Sequence, residues 1–462
     1  MSASPTAEAL TLLRARLGDL VDTSDAALDE ARADRSGHVS PTRPLAVVHA
    51  GSVADVQEVL RIATWTRTPV VTRGAGTGLA GGAIASEGEI VLSTARMTRI
   101  LEVRPDDALA VVEPGILNAE LNARLHEHGL WWAPDPASRD ISTVGGNIAT
   151  GAGGLLCAKY GVVRDAVRGI DLVLADGRLL RLGHRSVKGV TGLDLTSLVI
   201  GSEGTLGVVV GATLALRRLV PGEVHTLTAS FSTVRAAAAG SAAVSAAGLQ
   251  PAIMELMDAP TLAAVHDLLR LPAPPPGTAQ LTVQTDGVAA ADEAARIAGI
   301  LAAEGAEVRL SLDPAEGEEL LRIRRSVHPA LAALAGSGAT LIEDVSVPRS
   351  AMPAMFDEIA RIERDYGLTI PTVAHAGDGN LHPNFIVTDP VVPDRVWDAA
   401  SELFQAALRL GGTLTGEHGV GILKKRWLAE ELGEDQWELQ RQITRIFDPL
   451  GILNPGKVFD RA

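Results

Sequence analysis

The sequence predicts an α+β fold, and three features of the chain support that prediction. The 462 residues are 46% hydrophobic and 21% charged, which is typical of a soluble globular protein long enough for two or three domains. Strand-like and helix-like segments are mixed rather than strictly alternating, which disfavours a doubly wound parallel sheet. Glycine-rich loops stop near Pro221 and alanine-rich helices and strands follow, so we expect a domain boundary there.

The first domain, residues 1–220, is expected to begin with a short amphipathic helix (AEALTLLRARLGDLV) and a second helix capped by Ser52. Short apolar runs then predict strands, one helix is expected from Asn118 to His128, and Asp176-Gly177 predicts a hairpin. Long loops rich in glycine and small residues interrupt these elements: RGAGTGLAGGA, PDPASRDISTVGGNIATGAGG and GSEGTLG.

The second domain, residues 221–430, is expected to mix helices with strands, and the Pro-rich stretch LPAPPPGTAQ predicts a loop within it. Residues 431–462 are expected to form a C-terminal helix followed by a turn at Asn454-Pro455-Gly456.

The composition argues against several classes of function. A net charge of −15 and an aromatic content of 3% argue against a nucleic-acid partner. The single cysteine, Cys157, rules out an intramolecular disulfide and is compatible with a reducing compartment. No stretch approaches the ~20 apolar residues of a transmembrane helix, and the start of the chain has no secretory pattern. We therefore expect a cytoplasmic protein, peripheral to a membrane at most.

The glycine-rich loops predict phosphate binding, because glycine lets backbone N–H groups approach an anion and Arg73 can add positive charge. Their spacing does not match the dinucleotide signature of parallel-sheet folds. For any one of these loops, a tight surface turn is the alternative. Three of them in one domain indicate a long ligand held largely by backbone, and a dinucleotide is the obvious candidate.

The stretch HAGDGNLHPNF predicts a β-hairpin, because Asp-Gly lies between two strand-forming runs. With Asp378-Gly379 as a two-residue loop, His375 would lie directly opposite His382, and strand alternation would place Asn384 on the same face. Two imidazoles so placed could bind one metal ion. A pair of half-buried histidines without a metal is the alternative.

The stretch GGTLTGEHGVG sets Glu417 beside His418 between glycines, which permit an unusual backbone. Glu417 could add a third ligand to the histidine pair, as in catalytic zinc sites, and His418 would then be available for acid–base chemistry. A solvated surface turn is the alternative. The arginines of the predicted helix LLRIRRSVHPAL, among them Arg324, are most simply solvated.

The sequence resembles the flavoprotein D-2-hydroxyacid dehydrogenases of the vanillyl-alcohol-oxidase superfamily in six segments, which occur in this order: RGAGTGLAGG, PDPASRDISTVGGNIATGAGG, GSEGTLGVV, HAGDGNLHPNF, GEHGVG and LNPGK. That family includes the glycolate oxidase catalytic subunit, D-lactate dehydrogenase and D-2-hydroxyglutarate dehydrogenase. The resemblance implies an FAD-binding domain of two α+β subdomains, a ferredoxin-like substrate or cap domain, and a C-terminal helix that returns to the FAD domain.

The resemblance also implies roles for individual residues. It assigns non-covalent FAD to Arg73, Gly74, Ala75, Gly76, Thr77, Gly78, Pro134, Asp135, Ser138, Thr143, Gly145, Gly146, Asn147, Gly153, Gly154, Val209 and Asn454. It assigns a divalent metal, usually zinc, to His375, His382 and Glu417. His418 matches the family's catalytic base, Asn384 its substrate-side amide and Arg324 its carboxylate-binding arginine.

One departure from the family bears on the substrate. Where the hydroxyglutarate enzymes carry a lysine for the distal carboxylate, this chain has Ile342, and His328 stands where they have a threonine. We therefore expect a monocarboxylate such as D-lactate, glycolate or a longer apolar 2-hydroxy acid, with D-2-hydroxyglutarate as the alternative. The expected electron acceptor is a quinone, an electron-transfer flavoprotein, an iron–sulfur subunit or oxygen, and the sequence leaves a homodimer open.

Two rival functions belong to other classes. A zinc hydrolase could use the same histidines, carboxylate and base to activate water, but it would leave the three glycine-rich loops unexplained. A non-catalytic flavin-binding or assembly subunit would have no physical need for the complete set of His375, His382, Glu417 and His418.

Overall fold

The computed structural model describes residues 5–311, 313–336, 338–389 and 391–460, so the outer limits of the predicted domains, at residues 1 and 462, lie outside the described residues. The α-helices are α1 Pro5–Leu17, α2 Asp25–Glu30, α3 Val53–Thr66, α4 Asn118–His126, α5 Val144–Thr150, α6 Cys157–Tyr160, α7 Leu195–Val199, α8 Val234–Ala246, α9 Ala259–Leu268, α10 Ala290–Ala303, α11 Pro314–Arg325, α12 Val327–Ala335, α13 Met352–Tyr366, α14 Asp394–Arg409, α15 Lys425–Leu432 and α16 Glu434–Phe447.

The strands are β1 Val21–Asp22, β2 Ala46–His49, β3 Val70–Arg73, β4 Ile90–Ser93, β5 Ile100–Arg104, β6 Leu109–Val112, β7 Leu130–Trp131, β8 Val167–Val173, β9 Leu179–Gly183, β10 Val208–Ala215, β11 Arg217–Arg218, β12 Glu223–Phe231, β13 Ile253–Met257, β14 Ala279–Gly287, β15 Glu307–Leu310, β16 Thr340–Ile342, β17 Val345–Ser346, β18 Thr372–His375 and β19 Asn380–Ile386. None of the described helices is both long enough and apolar enough to cross a membrane.

The chain forms two compact units, and the first comprises the described parts of Met1–Gly153, Gly161–Leu219 and Glu417–Ala462. It contains a four-stranded sheet of order β1-β2-β4-β3, in which β2, β4 and β3 run parallel. It also contains an antiparallel five-stranded sheet of order β5-β6-β10-β8-β9. Parallel pairing is confined to the small sheet, so the predicted α+β class is confirmed.

Each sheet of the first unit has a core that follows from its apolar pattern. The small sheet packs against α1 and α3, and α3 begins as predicted at Ser52, whose Oγ accepts a hydrogen bond from Asp55 N. The five-stranded sheet packs against α4 and α5 through residues such as Leu121 and Ile148, which are fully buried. The predicted hairpin at Asp176-Gly177 is confirmed, since β8 and β9 pair antiparallel on either side of it.

The C-terminal tail is part of the first unit. Ile443 and Phe447 of α16 pack against the core of the five-stranded sheet. Beyond α16, Val70 N donates to Ile452 O at 2.7 Å and Asn454 N donates to Val70 O at 2.8 Å, so the tail extends the edge of β3. This pairing brings Asn454 beside the glycine-rich loop that follows β3.

The second unit comprises Gly154–Tyr160 and the described part of Val220–Gly416. Its eight-stranded sheet has the order β15-β12-β14-β13-β18-β19-β16, with β17 also paired to β19. Met257 of β13 and Val373 of β18 pack against α9 and α12. Because side chains alternate along a strand, Glu255 and His375 lie on that same helix-covered face of the sheet.

Candidate active site

The glycine-rich loop after β3 is fixed from within by Arg73, which is 9% exposed. Its Nη1 donates to Ala33 O at 2.9 Å and to Ala83 O at 3.2 Å. Gly76 has φ +68°, and a Cβ there would overlap the Arg73 guanidinium, so only glycine fits. Burial lowers the pKa of Arg73, although the neighbouring Glu30 and Asp34 act in the opposite direction. The arginine remains a cation beneath the loop.

The second glycine-rich stretch is only partly a loop, because residues 144–150 form α5. The expectation of one continuous loop was wrong there, since Thr143 supplies an N-cap: its Oγ1 accepts from Gly146 N at 3.2 Å. Gly145, Gly146 and Asn147 therefore lie in the first turns of a helix. A Cβ on Gly74 would lie 2.5 Å from Thr143 Oγ1, so the two glycine-rich stretches are in direct contact.

This region contains buried polar side chains. Asn147 is 3% exposed and Ser142 is 2% exposed. Within the described residues, Asn147 Nδ2 and Ser142 Oγ have no hydrogen-bond partner, and neither does Thr72 Oγ1 at the end of β3. Leaving such atoms unpaired costs about 1–3 kcal/mol each. A bound polar ligand would remove this cost, so the region fits the dinucleotide that the resemblance implies.

Other residues assigned to the cofactor belong to the same unit. Pro134 O accepts from Asn118 Nδ2 at 2.9 Å, and Asp135 is 9% exposed. Val209 lies in β10 beyond the stretch paired to β6, which begins at Ala212, and next to an irregularity in the pairing with β8. The backbone of Val209 is thus not part of the β6 ladder. The structure places these residues in the first unit.

Asn454 has a φ of +41° and side-chain hydrogen bonds within the first unit. Its Oδ1 accepts from Thr72 N at 3.0 Å and its Nδ2 donates to Glu203 O at 2.6 Å. A direct side-chain contact with a cofactor would have to compete with these bonds. Asn454 therefore fastens the tail to β3 and to the GSEGTLG segment.

Glu203 is a functional candidate that the sequence reasoning missed. This residue is 7% exposed, and its two carboxylate oxygens accept from Val420 N at 2.6 Å and Gly421 N at 2.8 Å. Burial raises the pKa of Glu203 to about 7, while these hydrogen bonds and Lys424 lower it. The carboxyl group anchors the loop that follows His418. An acidic residue between the glycines of GSEGTLG was the available signal.

The structure places Glu417 and His418 together at the start of the last segment of the first unit. Glu417 Oε1 lies 3.8 Å from His418 Nε2. A Cβ on Gly153 would overlap the Glu417 carboxylate, so this glycine allows the side chain to pack against the end of the second glycine-rich stretch. The preceding residue, Gly416, is the last residue of the second unit.

The hairpin of β18 and β19 has a different register from the one expected. His375 pairs with Asn380, and Val373 pairs with His382, so the loop has four residues rather than two. The reason is that Gly377 N donates to Met254 O in the neighbouring β13, while Asp378 N and Gly379 N both fold back to His375 O. The expectation that His375 lies directly opposite His382 was therefore wrong.

The histidines nevertheless share a face, because the register shift is two residues and side chains alternate with a period of two. Their ring centroids are 5.1 Å apart at an interplanar angle of 83°, and they are 8% and 7% exposed. His375 Nδ1 lies 2.8 Å from Glu255 Oε1, and His382 Nδ1 lies 3.9 Å from Asp344 Oδ1. A carboxylate at hydrogen-bond distance from Nδ1, as Glu255 is from His375, is typical of a metal-binding histidine, which presents Nε2 to the ion.

Glu255 was also missed from sequence. It is 1% exposed, and its Oε2 accepts from Arg324 Nε at 2.9 Å and from Arg324 Nη2 at 2.6 Å. Burial raises the pKa of Glu255, but the contacts with His375 and Arg324 lower it by more, so the net shift is downward. The carboxylate of Glu255 thus links Arg324 to His375. A lone glutamate in the apolar strand IMELM was the available signal.

Asn384 and Asp344 complete this face of the hairpin. Asn384 is 3% exposed and its Nδ2 donates to His382 O at 2.7 Å. Ile342 pairs directly with Asn384 across β16 and β19. Asp344 is fully buried, accepting from Asn380 Nδ2 at 2.6 Å and from Thr415 Oγ1 at 2.6 Å. The second unit therefore contains His375, His382, Asn384 and Arg324, while Glu417, His418 and the residues assigned to FAD, except Gly154, belong to the first.

Comparisons with known protein families match both parts of the chain. Residues 44–183 match the family described as FAD binding domain, and residues 220–458 match the family described as FAD linked oxidases, C-terminal domain.

Three relatives align over most of the chain. A glycolate oxidase subunit GlcD from Bacillus subtilis is 38% identical, and the alignment covers 90% of this chain and 89% of the relative. A D-lactate dehydrogenase from Archaeoglobus fulgidus is 35% identical, covering 89% and 90%. A D-2-hydroxyglutarate dehydrogenase from Xanthomonas citri is 35% identical, covering 90% and 89%.

A solved structure has the same fold. The 4-ethylphenol oxidase from Gulosibacter chungangensis aligns with a TM-score of 0.79, covering 100% of this chain and 98% of that one. The sequence identity is 20%, so this likeness concerns the fold alone.

Proposed function

This chain belongs to the FAD-linked oxidases, and we propose that it oxidises a D-2-hydroxy acid to the 2-keto acid. The observation that carries the proposal lies in the second unit. There, two buried histidines lie with their rings in contact, and Glu255 links one of them, His375, to Arg324, an arginine suited to a carboxylate. The relatives named glycolate oxidase subunit and D-lactate dehydrogenase support the same class of substrate.

FAD would be held by the two contacting glycine-rich stretches of the first unit. The unpaired buried atoms of Asn147 and Ser142 support this assignment, as does the absence of side chains at Gly74 and Gly76. When bound, FAD supplies the acceptor for the hydride that leaves Cα of the substrate. We assign non-covalent binding, as the resemblance to the D-2-hydroxyacid dehydrogenases implies.

A divalent metal, which we assign as zinc, would be held by His375, His382 and Glu417, all residues of metal-ligating type. Gly416, which directly precedes Glu417, packs closely against the hairpin. A Cβ on Gly416 would overlap the side chain of Asn380, which pairs with His375. When bound, the metal supplies Lewis acidity that lowers the pKa of the substrate hydroxyl.

The remaining roles fall to side chains that bind the substrate and move its proton. Arg324 binds the substrate carboxylate with the edge of its guanidinium that Glu255 leaves open. His418 accepts the hydroxyl proton on a ring nitrogen, a step typically worth 10²–10⁴-fold in rate. Asn384, held by the carbonyl of His382, orients the substrate beside the histidine pair.

We propose a small monocarboxylate, D-lactate or glycolate, as the substrate. Ile342 pairs directly with Asn384, so the residue of β16 beside Asn384 is apolar and cannot pair with a second carboxylate. The D-2-hydroxyglutarate dehydrogenase among the relatives keeps that dicarboxylate as the alternative.

Electrons must leave the reduced flavin for a second partner. A quinone, an electron-transfer flavoprotein or an iron–sulfur subunit would serve, and the word subunit in the name of the GlcD relatives supports a protein partner. We assign the chain to the cytoplasm, peripheral to a membrane through that partner, and leave a homodimer as a further arrangement.

The test is the visible spectrum of the purified protein, recorded without oxygen before and after addition of D-lactate. Bleaching of the oxidised-flavin band by the D acid but not by the L acid is the expected result. A flavin band that no D-2-hydroxy acid bleaches would refute the substrate class. A folded protein that contains zinc but no flavin would instead support a hydrolase.

A further inference from the structure

We propose that Glu255 is a positioning residue that orients both His375 and Arg324 in the substrate site. This inference rests on the proposed function, which gives His375 to the metal and Arg324 to the substrate carboxylate. Glu255 Oε1 lies 2.8 Å from His375 Nδ1, and its Oε2 accepts from Arg324 Nε at 2.9 Å and Nη2 at 2.6 Å. One carboxylate therefore holds two groups that act on the same substrate.

Glu255 is a charged residue at a buried position, where a carboxylate needs hydrogen-bonded partners. It occupies the middle of β13, in which every residue is buried, and pairs with His375 on one side and Thr282 on the other. Thr282 is fully buried as well. A carboxylate removed from water costs several kcal/mol unless good partners compensate, so its contacts with His375 and Arg324 are what make this position tolerable.

Each carboxylate oxygen has a different task. A histidine that donates Nδ1–H to a carboxylate keeps its Nε2 lone pair for a metal, so Oε1 fixes the tautomer and the ring orientation of His375. Oε2 accepts hydrogen bonds from Nε and Nη2 of Arg324. In the described part of the chain, Nη1 of Arg324 has no hydrogen-bond partner. That remaining edge is the one that can take a substrate carboxylate.

Glu255→Gln tests this dual role with almost no change in volume. A glutamine offers one acceptor oxygen and one NH₂ donor. If the NH₂ faces His375, the ring must accept on Nδ1 and carry its proton on Nε2, where the metal should bind. If it faces Arg324, two donors meet. In either orientation one half of the site is disturbed.

Asp258→Asn provides the matched control. Asp258 directly follows β13, is 7% exposed, and accepts from Thr261 N at 2.9 Å and from Thr372 N at 2.7 Å. Its replacement removes a buried carboxylate from the same sheet without touching His375 or Arg324.

The decisive measurement is zinc affinity, which requires no turnover. The full chain with FAD bound is stripped of metal and titrated with Zn²⁺ against a chromophoric chelator, and flavin content is measured in parallel. We expect Glu255→Gln to weaken zinc binding about 10–100-fold at unchanged flavin content, as loss of a carboxylate behind a metal-bound histidine does elsewhere. Asp258→Asn should retain the wild-type zinc affinity even if its unfolding midpoint falls. A Glu255→Gln variant that keeps both the zinc affinity and the KM for D-lactate of the wild type would overturn the inference.

The second measurement concerns Arg324 and is made at saturating Zn²⁺ with D-lactate. Glu255→Gln should raise the KM about tenfold. Arg324→Lys should raise the KM by a smaller factor in the Glu255→Gln background than in the wild-type background, because the two residues act as one unit. Independent, multiplicative effects would overturn this half. If the wild-type chain binds no zinc at all, the proposed metal site is wrong, and the zinc half of the inference falls with it.

Discussion

Replacing Gly74 by alanine would place a methyl group against Thr143, where the two glycine-rich stretches of the first unit meet. The new Cβ would lie 2.5 Å from Thr143 Oγ1, about 1 Å inside an ordinary contact. Thr143 cannot turn away cheaply, because its Oγ1 caps α5 by accepting from Gly146 N. We expect Gly74→Ala to lower the free energy of unfolding by about 1–3 kcal/mol, as overpacking does, and to weaken FAD retention.

A double-mutant cycle separates this overlap from other effects. Thr143→Ala removes both the cap and the obstacle, so alone it should cost about 1 kcal/mol. In the double variant the overlap is gone and only the lost cap remains. The double variant should therefore be destabilised by about 1–3 kcal/mol less than the sum of the single variants.

The assay is urea denaturation followed by release of flavin fluorescence, which reports on the first unit. Gly51→Ala is the control, because its Cβ would meet nothing closer than Asp55 Oδ2 at 3.8 Å. Strictly additive single variants, or a Gly74→Ala protein as stable as Gly51→Ala, would refute the contact between the two glycine-rich stretches.

Three further predictions concern the proton acceptor, the substrate and the pH dependence of stability. His418→Gln should slow anaerobic flavin reduction by D-lactate about 10²–10⁴-fold with FAD content unchanged, and near wild-type rates in stopped flow would exclude it as the base. Ile342→Lys should raise kcat/KM for D-2-hydroxyglutarate relative to D-lactate about 10–100-fold, as expected for a new hydrogen bond between charged groups; an Ile342→Met variant should leave the ratio unchanged, and a ratio unaffected by lysine would count against the proposed position of the substrate. Burial raises the pKa of Glu203 and of Asp258 to about 7 from ordinary values of 4.5 and 3.8. Because the folded state holds these protons more tightly, the stability they contribute is complete below about pH 4 and is lost as the pH rises to about 7; urea midpoints should therefore fall between pH 5 and pH 7.5, and a rise over that interval would contradict these pKa directions.

The hairpin illustrates which part of a site follows from sequence and which does not. Asp-Gly between strand-forming runs predicted a turn, and the period of two predicted that both histidines share a face, which is what the structure has. The register was missed by two residues, because Gly377 N pairs with Met254 O on a strand more than 120 residues earlier in the chain. Similarly, the second glycine-rich stretch looked like a loop, but the cap at Thr143 allows a short helix.

The sequence by itself determined the elements, the glycine positions and the chemical types of the site residues, because capping, periodicity and turn preferences act over a few neighbouring residues. Only the tertiary structure decided which buried groups form hydrogen bonds with the site residues. Glu255 meets His375 across 120 positions and Arg324 across 69, and Glu203 meets Val420 across 217. Such contacts depend on the order of strands in the sheet and on the path of the returning tail, which no local pattern encodes. Buried carboxylates are stable only with their distant partners, so their roles emerge when the chain is folded.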